Sequence, residues 1–600
     1  MDMRKDCGLR RKCRRLWKDE TGMALVIALS LLAAMAMLGA LYVALSSTEG
    51  RIAVNENLAA KALMMAESSW NVAYREFSNA NFHYYTHNAD GTFPPAEPLD
   101  AVVTPYVVLD DLENNGLQDE RNNGDFVWEW QPGDEHMSLA GSTLPESFRF
   151  RIYPKTDNAG EDEFYLECSG RVGDATRTIR VGLYKESGFK YAIFSDGDLG
   201  EFTRGRDQTI GGPIHANGDI CFRPEPGQTL SLASESVTCT GEMIRSRDVW
   251  GRPAPPGSVV EIRDGDGVFR EMENGDPGEA FDSENPDWLD CDDTNGIEGA
   301  IEKWDGIVRD GQLGGQYIKP PDFDAFKIGG YYERQSSLRI HAGDFQTDGS
   351  GLDVTDVLAD AVYEVTFWNP NLDQYVTVQE LDVAALVASG NYPPNGLIFS
   401  DQPIRLANAS ELSAPLTVVA DNSIYTKGSF NSVDKKPAAL VSTGRVWHVS
   451  DNWSDLDYYT KGGLNRRQAS DGTTTINAAV VDGAPTINEA NWADLDDDGT
   501  PDGYSGDAWA NSDFLLEVWS SQNRVLVKRG AIIHLQKANM ADDPESNVVD
   551  EPGEIAWQKH SNYMPPIRDY AYDPDIANPW FQPPFTLNVA QIFSWEEVIP

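Results

Sequence analysis

From Thr21 to Thr48 no side chain is charged and most are apolar: TGMALVIALSLLAAMAMLGALYVALSST. As a helix rising about 1.5 Å per residue, this run is long enough to cross a hydrocarbon core of roughly 30 Å. Beyond it the pattern changes rather than stops. In RIAVNENLAAKALMMAESSWNVAYREF, positions Ile52, Ala59, Ala62, Leu63, Ala66, Trp70, Ala73 and Phe77 recur at three- and four-residue spacing, with Glu56, Lys61, Glu67 and Arg75 off the stripe. The spacing predicts one long helix, membrane-embedded first and then amphipathic, packing its second half on a globular body. A single-pass anchor with a helical stalk satisfies the same pattern. A removable secretory signal does not, because its apolar centre is shorter and its small-residue cleavage site follows that centre.

After residue 80 helical spacing is scarce and a shorter phrase returns: an apolar residue, five mostly polar or small residues, and a second apolar residue around a turn. It occurs in YAIFSDGDL (Ile193, Leu199), PIHANGDI (Ile214, Ile220) and SVTCTGEM (Val237, Met243). A second group reads LIFSDQPI (Ile398, Ile404), VVADNSI (Val418, Ile424) and LVSTGRV (Leu440, Val446). Leading residues step by 21 and 23 in the first group and by 20 and 22 in the second. A period near 21 with Asn, Asp and Gly turns predicts rungs of a β-solenoid, none of which buries its inward residues alone. A leucine-rich repeat lacks its LxxLxL pattern here; short strands of a β-sandwich are the other reading.

The expected fold class is therefore mainly β, with a long N-terminal α-helix and a β-rich body that is partly β-solenoid around an inserted domain. The divisions are a basic leader at 1–22, the helix at 23–80, a β-rich module at 81–185, rungs at 186–245, an inserted domain at 246–395, rungs at 396–455 and a C-terminal region at 456–600. In the last of these, the prolines and paired aromatics of SNYMPPIRDYAYDP suggest a strap across the body.

Six hundred residues exceed one ordinary core, which agrees with several domains. The chain has 48 basic and 95 acidic side chains, a net charge of −47. Residues 1–22 hold eight basic and four acidic groups, net +4, so the remainder carries −51. Such a surface repels nucleic acid, which is set aside as a partner, and leaves divalent cations compatible. The basic flank predicts residues 1–18 in the cytoplasm and the acidic body across the membrane. With 16 Trp, 22 Tyr and 23 Phe, the acidity does not signal disorder. Cys168, Cys221, Cys239 and Cys291 follow the apolar run and allow three pairings, of which proximity favours Cys221 with Cys239.

Gly22-Met23-Ala24-Leu25-Val26-Ile27, after a basic leader and before a long apolar helix, resembles the amino terminus of a type IV prepilin, most closely the PilX group of pilus assembly proteins. Met65-Ala66-Glu67-Ser68 is similar to the AAE-like segment of that pattern, and the resemblance covers residues 19 to about 80. It implies cleavage after Gly22 by prepilin peptidase and methylation of the new amino terminus, Met23. Major pilins carry Glu at mature position five, which here is Ile27; the departure points to minor, tip-associated pilins or to the type II secretion pseudopilin GspK. The partners implied are other pilins or pseudopilins through the helix, prepilin peptidase and the bacterial inner membrane. The location implied is a single pass with a periplasmic body, extracellular once assembled in a filament. HANGD, KKPAALV and PPIRDYAYD are also similar to segments of large PilX-like proteins.

Asp494, Asp496, Asp498, Thr500 and Asp502 form the sharpest local pattern, with carboxylates at loop positions 1, 3, 5 and 9, Gly499 at 6 and the Thr500 carbonyl at 7. Oxygen ligands so spaced can wrap Ca2+. The acidic residue usual at position 12 is absent, since Ser505 stands there. Asp111, Glu113, Asn115 and Asp119 repeat the spacing around Gly116, with a longer Glu at position 3. His83 and His87 lack the HExxH context, and His215 reads as a rung or turn residue. P-loop, GxSxG and CxxC motifs are missing, so no enzyme activity is expected. The function expected is pilus or secretion-filament assembly or tip adhesion. The alternative is a membrane-anchored β-helix protein that binds carbohydrate or cleaves polysaccharide.

Overall fold

The computed structural model describes residues 20–78, 121–122, 125–130, 146–154, 163–201, 207–224, 226–246, 254, 256–273, 279–290, 298–321, 323–343, 345–369, 374–453, 455, 469–483, 508–509, 514–517, 519, 523–535, 567–578 and 581–598. Helix α1, Glu20–Ser78, is continuous over 59 residues, about 90 Å at the usual rise. It contains no proline and is rich in Leu, Ala and Met, which favour helix along its whole length. Residues 23–57 are exposed, whereas Ala62, Met65, Ala66, Trp70, Ala73 and Tyr74 are buried.

The seat of α1 is an antiparallel sheet laid down in chain order by β1 (Arg121–Asn122), β2 (Asp125–Trp130), β3 (Glu146–Pro154), β4 (Glu163–Val172) and β5 (Ala175–Ser187). The C-terminal strand Asn588–Val598 pairs antiparallel with β5, and the short strand Ile318–Lys319 pairs with its other edge. The whole stretch 188–587 thus leaves and returns between two neighbouring strands of one sheet. Alternation sends Phe148, Phe150, Phe164, Leu166, Val181 and Leu183 to the helix side, where they share a core with α1.

The strand pairs expected at the Asn, Asp and Gly turns are present and run in parallel. Ile193 lies opposite Ile214 and Ile214 opposite Val237; Ile398 lies opposite Val418 and Val418 opposite Leu440. Beyond the turns, Leu199, Ile220 and Met243 align, as do Ile404, Ile424 and Val446. In the first group two turn carboxylates serve the next rung: Asp198 Oδ1 accepts from Asp219 N at 2.9 Å, and Asp219 Oδ1 accepts from Glu242 N at 2.7 Å. Gly218 makes room for this, since a Cβ there would lie 2.1 Å from Asp198 Oδ1.

The leading strands of both groups belong to one eleven-stranded sheet, while the strands beyond the turns lie in a four-stranded and a six-stranded sheet. Ile532–His534 joins them, pairing with Ala479–Asp482 on one side and Ile193–Ser195 on the other. The first rung therefore sits in mid-stack. From it the chain steps outward to Val308–Arg309, resumes at the far end with Leu338–His341, and steps back through Leu397–Ser400. A further set of parallel strands was not anticipated: Gln208–Gly211, Thr229–Ala233 and Val259–Arg263, and separately Gly472–Asn477, Arg524–Gly530 and Ile567–Tyr572. Ile567–Tyr572, expected within a strap, is thus a strand.

Cys221 and Cys239 are both buried and form no disulfide with each other. Their strands, Ile220–Phe222 and Val237–Cys239, lie in different sheets of the stack, so closeness in sequence does not bring the sulfurs into bonding geometry. Burial, reinforced by Asp310 and Asp219, raises the Cys239 thiol well above its ordinary pKa.

Candidate functional site

Residues 23–57 of α1 are all exposed, and among them stand Leu25, Val26, Leu29, Leu32, Met35 and Leu38. Water does not tolerate a continuous apolar surface of this size, so lipid or other protein must cover it. The apolar part meets the length and hydropathy of a membrane-crossing helix. Gly22 and Met23 lie in its opening turns, and Ile27 is 56% exposed, with no polar group to satisfy.

The second half is seated by close contacts. A Cβ on Gly170 of β4 would lie 2.2 Å from the Ala62 carbonyl oxygen and 2.4 Å from the Ala66 amide nitrogen, so glycine sets how near the helix backbone comes to the sheet. Beside it, Ser69 Oγ donates to the Arg149 carbonyl at 3.1 Å. Burial raises the Cys168 thiol to about 12, against a hydrogen bond from Ser69 and with the Glu167 charge adding to the rise. On the C-terminal strand a bulge between Ile592 and Ser594 resets the alternation. Trp595 therefore faces Val181 and the helix, and its ring meets Trp70 edge-on at 5.3 Å.

The stripe read from sequence is partly realised. Ala62, Ala66, Trp70 and Ala73 are buried as expected, but Ile52 is 50% exposed, because the sheet reaches the helix only from about Leu58 onward. Met65, Ser69 and Tyr74 are buried without having been anticipated. They flank the expected positions at 62, 66, 70 and 73, giving the wider apolar band usual for a helix packed on a sheet.

Below the seat, Tyr74 Oη donates to the carbonyls of Lys319 at 2.8 Å and Pro320 at 3.1 Å, and Lys319 Nζ lies 4.6 Å from the Tyr74 ring centre. The preceding residue is held from the rungs. Asn217, within HANGD, donates from Nδ2 to the Ile318 carbonyl at 2.6 Å and accepts on Oδ1 from Ile318 N at 2.9 Å. Asn217 Nδ2 also donates to Asp196 at 2.9 Å. Burial raises the Asp196 carboxyl, opposed by hydrogen bonds from Asn217 and Tyr317 and by the Lys319 charge.

No protein-family model matches the sequence, and no curated protein is similar to it. Among solved structures, the competence-associated pilin ComZ from Thermus thermophilus superposes with a TM-score of 0.28 and 12% identity over 82% of this chain and 90% of that one. A superposition that loose defines no shared fold.

His215 is a rung residue on Ile214–Ala216, fully buried and stacked on Phe194. Its Nε2 donates to Asn217 Oδ1 at 3.0 Å while Nδ1 accepts from Thr238 Oγ1 at 2.8 Å. Burial lowers its pKa to about 4, against the Asn217 bond, so it is neutral near pH 7. Asp494, Asp496, Asp498, Thr500 and Asp502 lie outside the described residues, as do Asp111, Glu113, Asn115 and Asp119 and the His83–His87 pair. Among the described residues, no group of three or more His, Cys, Asp or Glu side chains is placed to hold a metal ion.

Proposed function

We propose that the chain is a minor, pilin-type subunit of a type IV pilus or related type II secretion filament, acting in assembly or tip adhesion. One observation carries the reading: a single helix is bare and apolar over its first half and clamped to a sheet over its second. Such a helix can reside in the inner membrane with the body in the periplasm. On extraction it can exchange lipid for the equivalent helices of neighbouring subunits, since both coverings satisfy the same apolar surface. The leader ends at Gly22, where prepilin peptidase cuts to free Met23. With Ile27 rather than a carboxylate at the fifth mature position, the segment enters lipid without an intramembrane charge.

Tip placement follows from bulk. More than 500 residues follow the helix, a body too large to repeat around every subunit of a thin fibre. The loops at Asp494–Asp502 and Asp111–Asp119 bind Ca2+ in this account and stiffen the exported body. Shearing surface filaments from the native cell and quantifying the chain by mass spectrometry tests the reading. The chain is expected in the filament fraction at a small proportion of the major subunit. Confinement to the membrane fraction, with filament number unchanged on deletion, contradicts it.

A further inference from the structure

Strand Val362–Asn369 ends the six-stranded sheet at the far end of the stack. It pairs antiparallel with Gln374–Asp382 over eight unbroken positions, from Val362 opposite Leu381 to Asn369 opposite Gln374. Among the described residues no strand takes its other side. An antiparallel strand aims alternate amides and carbonyls to each side, so half of them face outward here. From Val362 to Trp368, no backbone group of a described loop bonds to them.

Other described strands at sheet ends are short or covered. They run from two to six residues, and both of those with six are occupied. Phe430 exchanges hydrogen bonds with Thr475 and Asn477 of Gly472–Asn477, and Gln208–Gly211 lies against Ile567–Tyr572. Val362–Asn369 is eight long, and its sequence VYEVTFWN holds no proline, glycine or lysine. No bulge interrupts its pairing, so the devices that blunt an edge are missing. The strand is also fixed in place: Phe367 is buried in a cluster with Val378, Tyr425, Trp447 and Trp453, and Val365 packs against it.

Charge selects what can add to this edge. From Ile340 to Ile404 there are ten carboxylate side chains and no lysine or arginine. Arg405, the next cation, is buried between Glu380 and Asp455. Asp356, Asp360 and Glu364 are exposed on the strand or just ahead of it. A second copy would bring the same carboxylates and a net charge of −47 to the edge, which disfavours self-pairing. An extended segment with Lys or Arg on one face meets Glu364 with the opposite charge, and apolar residues on its other face extend the row of Tyr363 and Val365.

We infer that Val362–Asn369 receives, by strand addition, an extended segment of a partner protein in which basic and apolar residues alternate. The inference does not rest on the filament reading, since it uses the end of the stack and not α1.

The probe is a fluorescein-labelled eight-residue peptide alternating Lys and Val, titrated by anisotropy into the full chain in non-ionic detergent micelles. Two control peptides keep every charge: one is N-methylated at its lysines, the other at its valines. An added strand donates from one of these two sets only, so one control is expected to bind at least about tenfold more weakly than the parent and the other to resemble it. Hydrogen exchange read by mass spectrometry is expected to slow within 362–369 when the parent peptide is bound. Glu364→Lys, at an exposed position, is expected to weaken binding by about tenfold, by exchanging an attraction for a repulsion. No binding, equal binding by all three peptides, or protection elsewhere in the chain overturns the proposal. So does slowed exchange at 362–369 that follows protein concentration without peptide, which would make a second copy the occupant.

Discussion

Tyr74 and Asn217 hold consecutive residues of one two-residue strand: the helix tyrosine donates to the Lys319 carbonyl, and the rung asparagine brackets the Ile318 backbone. The strand itself extends the sheet on which α1 sits. Force on the helix therefore reaches the rungs through a short hydrogen-bonded path. Tyr74→Phe is expected to cost about 1 kcal/mol and Asn217→Ala about 2 kcal/mol, the latter because it leaves polar groups of Ile318 unpaired. Once either grip is gone the strand loosens, so the double variant should lose less than the sum by at least about 0.5 kcal/mol. Denaturant unfolding of the full chain in detergent reads this out, and strict additivity would refute the coupling.

Gly170→Ala tests the seat. The added methyl meets helix backbone, which cannot turn aside as a side-chain tip can. The expected loss is about 1–3 kcal/mol, in the range of overpacked cores, together with faster tryptic cleavage at Lys61. A variant as stable and as protected as the wild type would mean that the helix is not held this closely.

His215 predicts an acid dependence. Its pKa is lowered on folding, from an ordinary 6.5 to about 4. Protonation therefore favours the unfolded chain: the stabilisation is complete above pH 6.5 and is lost as pH falls toward 4, up to about 3 kcal/mol in all. His215→Asn, which can retain the Thr238 bond, should flatten the fall in denaturation midpoint over that window. The same slope in wild type and variant would locate the acid sensitivity elsewhere.

The calcium proposal is checked by Asp496→Ala combined with Asp498→Ala. Calcium should raise the melting temperature of the wild-type chain, and the double substitution should remove most of that rise, since two of the carboxylates spaced for the ion are gone. Equal melting with and without calcium in both proteins would take the loop out of the account.

The register of the rungs is readable because every pair of apolar residues brackets a turn, and the constant six-residue offset within each pair, despite uneven steps between turns, fixes which residues meet. Ile193, Ile214 and Val237 align for that reason. Strands such as Thr229–Ala233 escaped notice because five residues of alternation, Leu230 and Leu232 inward, are too few to stand out from a polar loop. The pairing of Asn588–Val598 with β5 left no local trace, since its partners are about 400 residues apart. Similarly, the helix stripe announced that α1 packs on something, but Tyr74 and Asn217 act through hydrogen bonds to backbone, which no side-chain periodicity encodes. The two carboxylate loops were the clearest chemical pattern in the sequence, and they lie outside the described residues.

What becomes of Gly22 separates a filament helix from an ordinary anchor. Co-expression of the full chain with a prepilin peptidase, followed by mass spectrometry of the mature amino terminus, decides it. A chain beginning at N-methylated Met23 is predicted, and it would make α1 a processed filament helix. A chain still carrying its basic leader, or cut at another position, would contradict pilin-type processing and leave α1 an ordinary membrane anchor beneath a large β body.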